Sequence, residues 1–189
     1  NVYAVSLSNG RELWSYPTGG VVAGRPLLLN NMVIAGSFDK KLYALDVSDG
    51  RLLWTFEADN WFWAGATTNG QTIFAPNMDG NIYALDLEGD LEWTHNVGSS
   101  IVSSPVLVPR GLVVVNKLGK LSVLDTSSNV DSQRELFVLT LGDAEVKAPL
   151  FAEGESVYVG SQDSTVRRVE LKGGPVVLWC RHTKDGRCN

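Results

Sequence analysis

The sequence predicts an all-β fold, a β-propeller of four-stranded antiparallel blades, and three observations lead there. First, the chain repeats itself about every 40 residues, and a period in this range marks an array of supersecondary units, each burying its face against the next. Tyr3-Ala4-Val5, Tyr43-Ala44-Leu45 and Tyr83-Ala84-Leu85 are successive copies. Second, each copy leads through a glycine (Gly10, Gly50, Gly89) to a tryptophan (Trp14, Trp54, Trp93). Third, the stretches between tryptophans break into short apolar runs bounded by turn residues, with no helical periodicity. Four short strands per repeat are what a propeller blade requires.

The elements follow in order. Residues 1–18 supply the last two strands of a blade. The blade over 19–58 has strands expected at 20–29, 32–37, 41–47 and 51–57, separated by turns at Asn30-Asn31, Phe38-Asp39-Lys40 and Ser48-Asp49-Gly50. The blade over 59–97 matches it, with strands at 61–68, 72–76, 81–87 and 91–96. In the blade over 98–142, Leu121-Ser122-Val123-Leu124-Asp125 keeps the register, but an insertion rich in Ser and Asp moves the aromatic position to Leu136 or Phe137. The blade over 143–181 runs from Glu145 through Val166-Arg167-Arg168-Val169-Glu170, past Gly173 and Gly174, to Trp179, and 182–189 form a tail. The total is about four and a half blades in one domain, a partial or fragmentary ring. The C-terminal end offers no spare strand pair to complete the first half blade. Its open edges therefore call for more polypeptide or another copy. A large aromatic at a fixed repeat position packs between units, so Trp14, Trp54, Trp93 and Trp179 are assigned a structural role.

Composition narrows the function. With 44% hydrophobic and 20% charged residues among 189, the chain is ordinary for a soluble globular domain. Its formal charge of −5, with no stretch concentrating Lys and Arg, argues against a partner whose phosphate backbone must be neutralised. No apolar run approaches the length of a membrane span. No signal segment precedes Asn1, which already lies beside a strand, so any targeting segment is expected to have been removed. Cys180 and Cys188 are the only cysteines. With an Asp185-Gly186 turn between them they suit a disulfide closing a short loop in an oxidising compartment. Two free thiols are the alternative, and a zinc site with His182 lacks an evident fourth ligand.

The pattern Tyr-Ala-Leu-Asp, then Asp/Glu-Gly, then Leu-x-Trp, preceded by Gly-Ser-x-Asp as in Gly36-Ser37-Phe38-Asp39 and Gly160-Ser161-Gln162-Asp163, resembles the PQQ-like repeat. The resemblance covers nearly the whole chain. It implies blades joined by docking tryptophans at Trp14, Trp54, Trp93 and Trp179, with looser docking at the third complete blade, which departs from the pattern. Quinoprotein dehydrogenases of this family bind pyrroloquinoline quinone and calcium and in many members carry a disulfide between adjacent cysteines. No two cysteines adjoin here, and no cofactor-binding insertion interrupts the repeats. The chain is more similar to the non-enzymatic, BamB-like exported bacterial propellers, which implies an extracytoplasmic binding or scaffolding role without a cofactor.

Candidate site residues lie where the loops entering the innermost strands meet those joining second to third strands. That face is expected to hold 21–25, 60–63, 99–103 and 144–147, with Asp39, Asp79, Lys117 and Asp163 further out. Trp61-Phe62-Trp63 breaks the repeat and reads either as a platform for a peptide or partner protein, or as a channel plug or packing against the next blade. Arg25 and Lys147, each just before a proline, would make a small basic spot for a carboxylate if both point inward. The aspartates recurring once per blade fit turn capping, and no loop gathers the oxygens calcium needs, so no metal site is assigned. His95 and His182 stand next to no evident nucleophile, and no catalytic motif is present. The sequence thus points to a non-catalytic module that binds a protein or peptide and that could pair with itself through open blade edges. The alternatives are part of a quinoprotein dehydrogenase propeller or a self-associating sensor domain.

Overall fold

A computed structural model describes residues 1–129, 133–142, 144–184 and 186, and the expected disulfide partner Cys188 lies outside the described residues. The described chain is all strand and turn. Strands β1 (Val2–Val5) and β2 (Glu12–Tyr16) form a two-stranded sheet. Four four-stranded antiparallel sheets follow, each joined in simple meander order. They are β3 (Leu27–Leu29), β4 (Met32–Gly36), β5 (Lys41–Asp46) and β6 (Leu52–Glu57); β7 (Thr67–Thr68), β8 (Ile73–Pro76), β9 (Asn81–Leu85) and β10 (Leu91–Asn96); β11 (Val106–Val108), β12 (Gly111–Val115), β13 (Lys120–Leu124) and β14 (Glu135–Thr140); and β15 (Phe151–Glu153), β16 (Ser156–Ser161), β17 (Thr165–Glu170) and β18 (Val176–His182). We call these sheets blades I to IV, after the half blade β1–β2. Among the described residues no helix is long and apolar enough to cross a membrane.

The middle strands carry most of the core in blades I to III, where they lie between neighbouring sheets, whereas β16 and β17 of blade IV are only partly buried. In β8 and β12 every residue is buried, whereas the outer strands β6 and β14 alternate between exposed and half-buried positions. Such continuous apolar runs mark strands buried on both sides. The core is divided into layers between neighbouring blades. Ile34, Leu42 and Ala44 of blade I pack with Ile73, Ala75 and Leu85 of blade II, and Val113, Val115 and Leu121 of blade III pack with Val157, Val159 and Val169 of blade IV.

The innermost strands are much shorter than the sequence suggests. Expected at 20–29 and 61–68, they reduce to Leu27–Leu29 and Thr67–Thr68. Prolines at 26, 105 and 149 withhold the amide a ladder needs in blades I, III and IV. The blades also converge here too tightly for regular pairing. A Cβ on Gly24 would lie 2.6 Å from the carbonyl carbon of Ala64, and one on Gly65 would lie 2.6 Å from the carbonyl oxygen of Arg25.

Blade-to-blade docking recurs with one geometry. Trp14 donates its indole N–H to the Val47 carbonyl at 2.8 Å, and Trp54 donates to the Leu87 carbonyl at 2.9 Å. The rings cover Gly50 and Gly89, where a Cβ would approach the indole to 2.6 Å. In blade III the displaced aromatic is Phe137, which pairs with Val123 beside a bulge just as Trp54 pairs with Ala44. Trp93 departs from the pattern: it is buried, yet its Nε1 meets no acceptor among the described residues. The insertion has removed the glycine turn, and the Arg134 guanidinium covers the indole, 3.9 Å from the ring centre. The site expected to dock loosely is thus closed by a cation.

Candidate functional site

One face of the propeller is built by a bond repeated in all four complete blades. The residue that opens each second-to-third strand turn donates its amide to the segment entering the innermost strand: Phe38 to Val21 at 2.9 Å, Met78 to Trp61 at 3.0 Å, Lys117 to Ser100 at 2.8 Å and Gln162 to Glu145 at 2.9 Å. Further bonds tie these segments across blades, from the Phe62 amide to the Ser37 carbonyl at 3.2 Å and from the Ile101 amide to the Asn77 carbonyl at 3.2 Å. The two loop sets therefore share one mouth.

Within that mouth the first two complete blades are aromatic. Phe38 stacks on Trp61 with ring centres 4.9 Å apart and planes 7° apart, and on Trp63 at 5.1 Å and 20°. Trp61 and Trp63 nevertheless remain 42% and 38% exposed. They pack against the neighbouring blade and still present surface, which joins the two readings of the triplet. Phe62 is different. It is 1% exposed and sits in the core between blades I and II, beside Tyr83 and so close to Gly36 that a Cβ there would lie 2.5 Å from it. Alternation along the chain turns it away from its neighbours, so Phe62 does not belong to the partner-facing set. The bond pattern puts it in register with Ile101 and Val146, which are also buried.

The opposite sector is charged. Glu145 is held between two ammonium groups, Lys147 at 2.7 Å and Lys117 at 3.1 Å, and the hydrogen bond from Lys147, followed by that from Lys117, lowers its pKa. Arg25 and Lys147 do not form the expected common basic spot. Arg25 lines an axial cavity of about 440 Å³ with Pro26, Gly65, Ser104, Pro105 and Pro149, while Lys147 lines a different hollow and is committed to Glu145.

The recurring aspartates are occupied by their own turns. Asp39 accepts from the Lys41 amide at 3.1 Å and the Tyr43 hydroxyl at 2.7 Å, and Asp79 accepts from the Asn81 amide at 2.8 Å and the Tyr83 hydroxyl at 2.6 Å. Asp163 accepts from the Thr165 amide and from Arg167 at 2.8 Å. Burial alone would raise its pKa, but the bonds from Arg167, Ser161 and Thr165 outweigh this and hold it well below the usual range. Among the described residues no three His, Cys, Asp or Glu side chains gather as metal ligands. The axial cavity is lined by no carboxylate, so its residues do not fit a bound calcium ion and the quinone it would accompany.

Sequence reasoning missed Phe38, whose aromatic character in a turn position otherwise filled by Met78, Lys117 and Gln162 was the available signal. It also missed the cluster between blades II and III, where Glu135 accepts from Lys120 and Ser122 at 2.7 Å each and faces His95 at 3.8 Å. That arrangement is interblade packing: Ser122 is fully buried, and burial lowers the His95 pKa despite the neighbouring carboxylate. Cys180 is disulfide-bonded.

Repeated four-stranded blades, interlocked by tryptophan and opening on one mouth, define a β-propeller of PQQ-like repeats. The chain belongs to the family described as outer membrane protein assembly factor BamB, whose model matches residues 1–179. Among curated proteins none matches the sequence. Several solved structures share the fold. BamB from Moraxella catarrhalis superposes with a TM-score of 0.76 at 18% identity, covering 90% of this chain and 53% of that one. The quinohemoprotein alcohol dehydrogenase ADHIIG from Pseudomonas putida HK5 gives 0.76 at 15% identity, over 90% of this chain and 36% of that one. The computationally designed Ika4 protein gives 0.70 at 18% identity, over 85% of this chain and 98% of that one. The chain thus spans about half the length of the BamB it matches.

Proposed function

We propose that this chain is a non-catalytic binding or scaffolding propeller that engages a protein or peptide partner on the ledge formed by Phe38, Trp61 and Trp63. The observation that carries this reading is the three-ring stack, in which two indoles are fixed in place yet remain about 40% exposed. Rigid aromatics offer large contact area at little cost in conformational entropy, which suits them as anchors at an interface. The Lys117–Glu145–Lys147 group on the far side of the mouth adds a polar sector that orients a bound segment. A protein partner agrees with the family's description as an assembly factor. The net charge of −5, with no stretch concentrating Lys and Arg, argues against a nucleic-acid partner.

The reading assigns no cofactor, because the axial cavity is lined by one arginine, prolines, aliphatic and small residues and no carboxylate, where calcium beside a quinone would need convergent oxygens. It places the protein outside the cytoplasm, supported by the disulfide at Cys180. The test is selection of displayed random peptides on the wild-type chain, with counter-selection on a Trp61→Ala/Trp63→Ala variant. Enriched peptides should quench tryptophan fluorescence of the wild type and lose about tenfold or more in affinity for the variant. Peptides that bind both proteins equally would overturn the assignment to the ledge.

A further inference from the structure

The turn between the first and second strands of blade II is chemically unlike its counterparts. Blade I turns through Asn30-Asn31, blade III through Pro109-Arg110 and blade IV through Gly154-Glu155, whereas blade II turns through Asn69-Gly70. Asn-Gly is a reactive pair, because the glycine nitrogen can approach the asparagine carboxamide carbon with no Cβ in the way. The sequence contains one other such pair, Asn9-Gly10.

The fold favours reaction at Asn69. Its Oδ1 accepts two main-chain amides, from Gln71 at 3.0 Å and from Thr72 at 2.8 Å. Both donors are in place to stabilise the negative charge that this oxygen gains when a nucleophile adds to Cγ. The attacking nitrogen is lightly held, since the Gly70 amide makes an exposed bond of 2.9 Å to the Thr68 hydroxyl. Asn69 and Gly70 are both exposed, and a Cβ on Gly70 would meet nothing within 4 Å, so the turn has room for a ring to close. Asn9 is the contrast. Its Oδ1 accepts from the Arg11 amide alone among the described bonds, at 3.0 Å, and the Gly10 nitrogen is committed to the Ser6 carbonyl at 2.7 Å.

We propose that Asn69 is a self-modifying site, at which the folded turn promotes deamidation to aspartate and isoaspartate. The Gly70 nitrogen gives up its proton to solvent and bonds to the Asn69 Cγ, then the bond from Cγ to the amide nitrogen breaks and ammonia leaves, closing a succinimide. Water opens that ring at either carbonyl. Cleavage of the new Cγ–N bond gives aspartate, and cleavage of the original peptide bond gives isoaspartate, whose main chain runs through the side-chain carbons. Water is consumed, ammonia is released, and nothing is oxidised or reduced.

The consequence reaches the axis. Aspartate keeps an oxygen for both amides, whereas isoaspartate lengthens the main chain by a carbon and carries the acceptor away from Thr72, which is 7% exposed. A buried amide that loses its partner costs stability. Thr72 leads directly into β8, whose inner partner is the two-residue β7, with Thr67 opposite Phe74 and Thr68 opposite Ile73. Thr67 also lines the axial cavity. The turn stands at the end of the blade opposite the mouth, so the site is separate from the aromatic ledge.

The test is incubation of the full folded chain at mildly alkaline pH beside a sample kept unfolded in urea. Peptide mapping follows conversion at Asn69 and Asn9, and protein isoaspartyl methyltransferase marks the isoaspartate. In the folded chain Asn69 should convert at least about tenfold faster than Asn9, and faster than it does in urea. Gly70→Ala places a methyl that crowds the attacking nitrogen and touches no other part of the fold, and it should slow conversion by about tenfold or more. Equal rates at the two pairs in the folded chain, or faster conversion of Asn69 in urea, would overturn the proposal. The isoaspartate fraction should unfold at lower urea than Asn69→Asp, which keeps the acceptor, and equal midpoints would overturn the link to the inner strand.

Discussion

The indole of Trp14 hydrogen-bonds the Val47 carbonyl at 2.8 Å while its ring lies over Gly50, so one side chain binds the backbone of the next blade through both an edge and a face. Any Cβ at Gly50 or Gly89 must displace an indole from 2.6 Å and must also adopt a φ of 74° or 91°. Gly50→Ala and Gly89→Ala should each cost about 2–4 kcal/mol, overpacking adding to backbone strain. Gly10→Ala, in a turn of the same shape with no ring above it, should cost about 1 kcal/mol, the strain alone. Urea unfolding of the three variants separates the terms, and equal losses at all three positions would remove the indole from the explanation.

Phe62 and its neighbours should lose different amounts of stability on truncation. Phe62→Ala opens a cavity between blades I and II and should cost about 3–5 kcal/mol. Trp61→Ala and Trp63→Ala remove half-exposed rings stacked on Phe38 and should cost about 1–2 kcal/mol each, stacking plus partial burial. Guanidinium unfolding midpoints order the three variants. A Trp61→Ala loss as large as that of Phe62→Ala would make the ledge a structural element and not a surface for partners.

The repeat was legible in the sequence because it is written in residues whose roles are local. The tyrosine that caps its own turn aspartate, the glycine at positive φ and the tryptophan four residues further on each act within one blade or on the next. The burial of Phe62 was equally legible, since Val22, Ile101 and Val146 fill the same register and alternation turns that position inward. What the sequence could not disclose depends on contacts between blades. The stacking of Phe38 joins a turn of blade I to an entry segment of blade II, and the pairing of Lys147 with Glu145 cancels a cation that looks free in one dimension. The shortening of the inner strands likewise follows from backbones meeting at the axis, as Gly24 meets Ala64.

Tyr43 and Tyr83 should ionise late. Burial, reinforced by hydroxyls that donate to Asp39 at 2.7 Å and Asp79 at 2.6 Å, raises each from 10.0 to about 12. A group whose folded pKa lies above its unfolded value contributes stability that is complete below the unfolded pKa and disappears as pH rises through the folded one. Stability should therefore fall between pH 10.0 and about 12. Ultraviolet titration of phenolate should show two tyrosines lagging the others, one of them absent in Tyr43→Phe. Ionisation of all five tyrosines in a single early step would contradict the bonds.

Arg134 should matter more than a charged residue in a surface insertion normally does. It is 7% exposed, stacks on Trp93 at 3.9 Å and donates from Nη1 to the carbonyls of Asp125 and Ser127 at 2.8 Å each. It therefore both covers the docked indole and holds the ends of the insertion that replaced a glycine turn. Arg134→Met retains much of the apolar stem but removes the cation and both donors. It should cost about 2–4 kcal/mol, from a partly desolvated cation–π contact and two part-buried bonds. Arg134→Lys should rescue little, because an ammonium cannot lie flat on the ring and reach both carbonyls. The fluorescence of Trp93, isolated by comparison with Trp93→Phe, should shift to longer wavelength in Arg134→Met as water reaches the indole. An unshifted spectrum with unchanged stability would show that the insertion closes the joint between blades II and III without its arginine.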